Sequence, residues 1–505
     1  MTSLATTSTT GIQPIRPSAI STRLAMAVML AALADWLFYG QRVGLSLVIF
    51  AVAIACGSVL ANHAALDFRR GATGAVIFAL GLLPAIDELN TLSCFIVVTA
   101  LMIALLLATN PETTGLAERA RALRNFLLLG PFRFFLDALQ VFNLSAFTRG
   151  VALWLMPVVL GTVFVALFAA ANPVIEQWVS LLNPKVVFEY VSVWRVLFWT
   201  LMLSLVWPFI HLRWRRKTVA AARETDSVEA PPLPPFIAPE FLGPSAILRS
   251  LILFNLLFAA QSVLDGIYLW GHVALPDNLT YASYAHRGAY PLIATALLAA
   301  AFVLAAMRSG GPAEKSTVIR PPVYLWVAQN VLLVASSILR LDLYVDIYML
   351  TYWRIAAFIW MGLVALGLIL IVARIVFDRS NEWLVGINLI ALAIVLYGCS
   401  LVNFDAFIAD YNVTHSREAS GKGAQIDVNY LLSLGPQALP AIDKAIEFLA
   451  KSNGSDLSAR GYRLESQRDH LVEQQRQDLA WRSWGLRNWR LRHRLDTQTA
   501  NQPAG

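Results

Sequence analysis

The sequence predicts an all-α protein: a polytopic transmembrane helix bundle of about 11 spans with a small helical extracytoplasmic C-terminal tail. Three observations predict it. Of 505 residues, 57% are hydrophobic and 14% charged, and mean hydropathy is +0.60, whereas a soluble domain is about 25% charged. The apolar residues come in runs of the length a hydrocarbon core about 30 Å thick requires, roughly 17 to 25 residues of helix. The charges are unevenly spread: 26 Lys and Arg with 20 Asp and Glu up to Val402, then 13 with 12 from Asn403 onward. This composition excludes a soluble enzyme, an ordinary nucleic-acid-binding protein and a disordered scaffold.

The leader, residues 1–23, is rich in Thr and Ser without periodicity and reads as a disordered cytoplasmic segment. A first transmembrane block, residues 24–210, holds apolar runs over Leu24–Tyr39, Gly44–Ala61, Gly71–Ile86, Thr91–Ala108, Val151–Ala171 and Val191–Ile210. The first run also has features of a signal peptide, with Arg16 and Arg23 ahead of Ala32-Leu33-Ala34, but the apolar stretch continues to Tyr39. Within this block, residues 112–149 carry Arg119, Arg121 and Arg124, then Phe126–Leu129, a Gly130-Pro131 break, and Phe132-Arg133-Phe134-Phe135. That pattern reads as two amphipathic pieces on the inner leaflet; a kinked further span is the alternative, opposed by Arg133 and Asp137.

A linker follows, residues 211–246. Arg213, Arg215, Arg216 and Lys217 form a juxtamembrane basic cluster suited to anionic headgroups, and Ala230-Pro231-Pro232-Leu233-Pro234-Pro235 is a stiff spacer. The second transmembrane block, residues 247–402, contains runs over Ile247–Trp270, Ala289–Met307, Val323–Leu339, Trp353–Ala373 and Leu384–Val402. Asp35-Trp36-Leu37-Phe38-Tyr39-Gly40 is faintly echoed by Asp265-Gly266-Ile267-Tyr268-Leu269-Trp270-Gly271, as in a duplicated transporter, although chance likeness between apolar helices accounts for it as well.

Lys and Arg set the orientation, because positive loops stay in the cytoplasm. With the N-terminus inside, the cytoplasmic segments hold 20 such residues and the opposite side six, namely Arg42, Lys185, Arg195, Arg287, Arg340 and Arg354. The tail, residues 403–505, then lies outside. Within it, Ile426–Ile442 reads as two short helices separated at Gly435-Pro436, and Trp481, Trp484 and Trp489 lie among Arg482, Arg487, Arg490, Arg492 and Arg494. That mixture suits the headgroup edge of the bundle, and the external placement removes nucleic acid as a partner.

No phosphate loop, dinucleotide fingerprint, zinc spacing or nucleophile elbow is present, so neither a cofactor nor a metal is expected. Cys56, Cys94 and Cys399 lie inside apolar runs and read as small core residues. What remains is the placement of ionisable groups. Asp265, His286, Arg287, Arg340, Asp342, Asp346 and Arg354 fall at one membrane level in the second block. They define a candidate polar cluster at the outer face, with Arg340 ending its helix and Asp342 and Asp346 just beyond. The plainer alternative makes them packing contacts, pairing Asp265 with Arg287 or Arg340 with Asp346. Asp35 and Asp265 are the deepest carboxylates and the candidate proton carriers; Asp35 with Arg42 after it reads as the equivalent pair in the first block, and Arg195 is the nearest counterion by topology.

Tyr284-Ala285-His286-Arg287-Gly288-Ala289-Tyr290-Pro291-Leu292, Arg340-Leu341-Asp342-Leu343-Tyr344 and the segment Leu431–Ile442 carry a family likeness. Through them the chain resembles an uncharacterised bacterial family of multi-pass membrane proteins, catalogued as a domain of unknown function, over most of its length. The resemblance implies an integral protein of the bacterial inner membrane and carries over no catalytic residue. Three functions stay open: a non-enzymatic envelope sensor or assembly factor whose tail meets an extracytoplasmic protein or lipid; a proton-coupled transporter using Asp35 and Asp265; and a membrane enzyme acting on a lipid-linked substrate, with His286 as base and Arg287, Arg340 or Arg354 holding phosphate.

Overall fold

The computed structural model describes residues 17–63, 67–109, 115–141, 156–157, 159–165, 192–212, 244–270, 298, 316–451, 455–477 and 480–500. Among these residues every regular element is helical. The helices divide into two units, one of residues 1–216 with 479–489, the other of residues 217–478 with 490–505.

The first unit contains α1 (Pro17–Phe38), α2 (Leu45–Ala61), α3 (Phe68–Asp87), α4 (Thr91–Thr109), α5 (Leu116–Val141) and α6 (Val193–Ile210). Leu37, Phe50, Ile54, Leu101, Leu105, Val206 and Ile210 form its core. Outward positions are apolar too, Met29, Leu60, Val76, Phe95 and Trp194 among them, as expected where the solvent is lipid rather than water. Without a hydrophobic drive between helices, close backbone packing holds them together. At Gly74 an added Cβ would lie 2.7 Å from the Ala104 carbonyl oxygen, and at Gly81 it would collide with Ala100. Ser58 Oγ donates to the Phe209 carbonyl at 2.6 Å and Asn62 Nδ2 to that of Ile210 at 3.1 Å, so α2 and α6 end side by side.

The expected break at Gly130-Pro131 does not occur; α5 is one helix with Pro131 inside it. Gly130 serves proximity instead, since a Cβ there would lie 2.6 Å from Pro208 Cγ. Phe126, Gly130, Phe134 and Asp137 meet Phe209, Pro208, Trp207 and His211. Those α5 positions extend over about 16 Å of helix, whereas their partners fall within the last turn of α6, so α5 crosses the end of α6. Leu128, Leu129, Phe132, Phe135 and Leu136 remain exposed.

The second unit contains α7 (Pro244–Asp265), continued by a π turn over Gly266–Trp270, then α8 (Arg320–Tyr348), α9 (Tyr352–Val376) and α10 (Asn381–Leu401). Asn255 Nδ2 donates to the Pro322 carbonyl at 3.0 Å, Gln329 Nε2 to that of Asn255 at 3.1 Å, and Asp265 meets Arg340. Contacts therefore advance together along both helices, and α7 and α8 are parallel. The expected end of the ninth run at Leu339 is overrun: α8 continues to Tyr348 because Leu341, Tyr344 and Val345 still bury against neighbours, which places Arg340, Asp342 and Asp346 on the helix rather than at and beyond its end.

Beyond Leu401 come α11 (Phe404–Thr414), α12 (Arg417–Ser420), α13 (Val428–Ser433), α14 (Leu439–Lys451), α15 (Ser455–Gln477) and α16 (Leu486–Ala500). Side chains of Asn403, Ser416 and Asp427 accept from backbone N–H groups three residues on, capping α11, α12 and α13. The break after α13 falls at Gly435, whose φ of +72° favours glycine, ahead of a 3₁₀ turn over Pro436–Ala438. Ile408, Val413, Leu431, Ile442, Leu449 and Leu464 form a second core that continues onto Val345 and Leu350. Leu491 and Leu495 of α16 close over Leu439.

Eight helices are long and apolar enough to cross a membrane: those covering residues 21–38, 69–87, 91–109, 193–210, 245–270, 320–348, 352–376 and 381–401. The second expected run forms α2, a shorter apolar helix of 17 residues. The runs at Val151–Ala171 and Ala289–Met307 lie largely outside the described residues, so the expected count of 11 stands at eight long helices and one short one among those described.

Candidate functional site

Each unit holds one buried carboxylate in an acid–arginine pair between two long apolar helices. In the second unit Asp265 ends α7, and Arg340 lies five turns into the parallel α8. Their side chains are 1% and 4% exposed, and an Arg340 Nη donates to Asp265 Oδ1. Gln261 Nε2 adds a bond of 2.9 Å to the same oxygen from one turn earlier. The π turn after Asp265 brings Trp270 Nε1 to 3.4 Å from Ser336 Oγ, one turn below Arg340. The partner of Asp265 is thus Arg340, and the alternative pairing of Arg340 with Asp346 is corrected. Parallel packing sets Asp265 level with Arg340, whereas Asp346 lies nearly two turns further along α8.

Arg354 turns away from this pair. One of its Nη atoms donates to the carbonyls of Tyr348, at 2.6 Å, and Met349, and its guanidinium carbon lies 4.6 Å from the Tyr344 ring centre. It secures the turn between α8 and α9, where Met349 takes a φ of +65°. Asn412 of α11 binds that turn from the other side, accepting from Leu350 N–H at 2.7 Å and donating to the Leu350 carbonyl at 2.9 Å. Tyr352 contributes a hydroxyl bond of 2.6 Å to Asp405. Asp342 and Asp346 face Tyr411, whose phenol is pushed above its ordinary value of 10.0 by burial and then by those two carboxylates. Burial likewise raises the phenol of Tyr430, which accepts from Tyr352 N–H. The cluster expected at one level therefore resolves into a buried pair and a separate turn clamp. His286 and Arg287 lie outside the described residues, as do Arg213, Arg215, Arg216 and Lys217.

In the first unit Asp35, one turn from the end of α1, meets Arg195 at the start of the antiparallel α6. Arg195 Nε lies 3.0 and 3.2 Å from the two carboxylate oxygens, and an Nη completes the fork. The Tyr39 ring centre lies 5.3 Å from the guanidinium carbon. Asp35 is buried, but the Arg195 side chain is 57% exposed. The fork is formed by Arg195, the nearest counterion by topology, and not by Arg42, the expected pair of Asp35.

Two further clusters were not read from sequence as sites. Asp137 of α5 and His211 at the end of α6 are both buried, with Asp137 Oδ2 accepting from Trp207 Nε1 at 2.9 Å and lying 3.4 Å from His211 Nδ1. The other involves residues 480–489, a strap across one end of the first unit. Arg487 Nε and Nη2 reach Asp87 Oδ2 at 3.1 and 2.6 Å, while its other Nη donates to Glu88. Leu45 N–H donates to the Trp484 carbonyl at 2.9 Å, and Trp481 and Arg482 pack on Trp36. The signal for the strap was present: adjacent acids at a helix end and an Arg- and Trp-rich tail. Nothing local connects positions about 400 residues apart.

Among the described residues no three His, Cys, Asp or Glu side chains gather to hold a metal ion. What the pairs can do chemically is neutralise each other and fix the registers of the helices that carry them. Residues 74–445 match the model of a family described as a domain of unknown function, DUF4153. No curated protein and no solved structure matches the chain.

Proposed function

The chain belongs to the DUF4153 family of domains of unknown function, and from that premise we propose that it is a non-enzymatic envelope protein, a sensor or assembly factor. It sits in a bacterial inner membrane with its N-terminus cytoplasmic, and its extracytoplasmic tail engages a protein partner. One observation carries this reading. The tail is a built helical domain with a core of its own, continuous with the turn between α8 and α9 and clasped there by Asn412. A tail that served only to anchor the bundle would need no second core. A domain coupled rigidly to two spans can pass a binding event to them. Surrounding lipid is the other partner.

The transporter reading is weaker, because both candidate proton carriers, Asp35 and Asp265, are engaged by arginines. A carboxylate held by a guanidinium must give up that pairing before it can serve a moving ion. The enzyme reading turns on His286, which lies outside the described residues.

The test pairs topology with capture. A reporter active only outside the cytoplasm, fused after Gly505, is expected to be active, and crosslinking in intact cells should recover one protein partner through the tail. Substituting Asn412 should weaken that recovery. A cytoplasmic tail, or crosslinking that returns neither a protein nor a specific lipid, would overturn the proposal.

A further inference from the structure

One charged side chain of the second unit is buried without a counterion. Arg374, in the last turn of α9, is 5% exposed, and its side chain, buried Nε included, makes no hydrogen bond or ion pair to any described residue. Its neighbours along the helix, Leu370, Ile371 and Ile375, belong to the apolar cluster that also holds Ile247 of α7, Val323 of α8 and Leu384 of α10. The guanidinium is therefore rooted in the apolar end of the unit where α7, α8 and α10 begin. The acids nearest in sequence, Asp378 and Glu382, are exposed, and neither forms an ion pair with Arg374.

A cation in the last turn of a helix gains from the helix dipole, but that gain does not supply acceptors for five guanidinium N–H donors. Buried charge is retained where it is paired. The chain offers more cations at this end: Arg249 in the second turn of α7, Arg320 at the start of α8, and Arg379 between α9 and α10. Every one of these features favours an anion supplied from outside the chain. A guanidinium matches phosphate oxygens in a planar fork, and basic ends of transmembrane bundles are where phospholipid headgroups dock. Arg374 lies in the last turn of one of the helices long enough to span a membrane, and headgroups lie at the ends of spans.

We propose that Arg374 binds the phosphate of an anionic phospholipid at this end of the second unit. A soluble phosphate would present the same chemistry, and the lipid is favoured because the side chain is enclosed by apolar groups at the end of a span rather than in an open basin.

Native mass spectrometry of the full chain, released from nanodiscs of equal phosphatidylglycerol and phosphatidylcholine, tests this. The expected result is one phosphatidylglycerol retained per chain after other lipids are stripped, with retention about tenfold lower in Arg374→Gln and intermediate in Arg374→Lys. Millimolar inorganic phosphate should leave the adduct in place. Equal retention by wild type and Arg374→Gln overturns the proposal. So does a wild type that keeps no lipid but is stabilised against heat by inorganic phosphate, which assigns the anion to solution. Should Arg374→Gln fail to fold, the wild type alone decides: transfer to a bilayer of neutral glycolipid is expected to lower its Tm, and an unchanged Tm overturns the lipid assignment.

Discussion

Asp35 and Asp265 perform the same act in different surroundings. Each is a carboxylate near the end of a spanning helix, and each is held by an arginine of a neighbouring helix. Arg195 approaches Asp35 from an antiparallel helix and leaves more than half its side chain exposed, whereas Arg340 approaches Asp265 along a parallel helix and is enclosed with it. The exposed arginine is free to find another acceptor at a membrane surface if its partner is lost. The enclosed one is not. Chemical identity of the pair therefore says little about its energetic weight; enclosure decides it. The difference in helix direction also argues that the faint sequence echo between the two blocks is no duplicated device, since a parallel repeat would reproduce the pairing geometry.

The comparison can be broken most sharply by substitution. Arg340→Met should cost about 3–5 kcal/mol, the penalty for stranding a buried carboxylate, while Asp35→Asn should lower thermal stability much less; equal losses in paired Tm measurements would refute the role given to enclosure. A double replacement, Asp265→Leu with Arg340→Met, should recover most of the loss, because it removes both charges together. Next in size, Arg487→Ala removes the cation between Asp87 and Glu88 and should cost about 1–3 kcal/mol. It should appear as faster amide exchange across residues 480–489 rather than as global unfolding. Asn412→Ala leaves both polar groups of Leu350 without their side-chain partner, at about 1–2 kcal/mol, and should loosen the tail core before the spans.

The smallest effect is on pH. Tyr411 and Tyr430 have phenols raised above 10.0 in the folded protein, so the folded state holds these protons more tightly than the unfolded chain. Their contribution is fully present below pH 10 and is lost as pH rises from 10 through the higher folded values. Tyr411→Phe should flatten the alkaline limb of tail stability with little change at neutral pH, as circular dichroism melts would show.

The helical class and most element positions were legible because apolar run length is a direct imprint of bilayer thickness. The break at Gly435 was legible for a local reason, a glycine before a proline. Gly130-Pro131 looked the same on paper but serves a close approach to Pro208, which only the neighbouring helix reveals. Asp265 and Arg340 were both singled out, yet their pairing depended on α7 and α8 running parallel, a property of packing. Asp35 with Arg195 was suggested by topology because an antiparallel neighbour brings a helix end to a helix start. The strap and the Asp137, Trp207 and His211 cluster stayed hidden for a common reason: each joins segments whose separation in sequence carries no pattern.

The strap also imposes an order on biogenesis. Asp87 and Glu88 leave the ribosome about 400 residues before Arg487 does, an interval of roughly 20 to 80 s at ordinary rates of synthesis. Throughout that time the first unit stands with its acidic end uncovered, and it is completed only when residues 480–489 have been made. A premature stop before Arg487 would therefore damage the earliest helices to be made, and a cell's quality-control proteases would meet the fault about 400 residues ahead of the truncation.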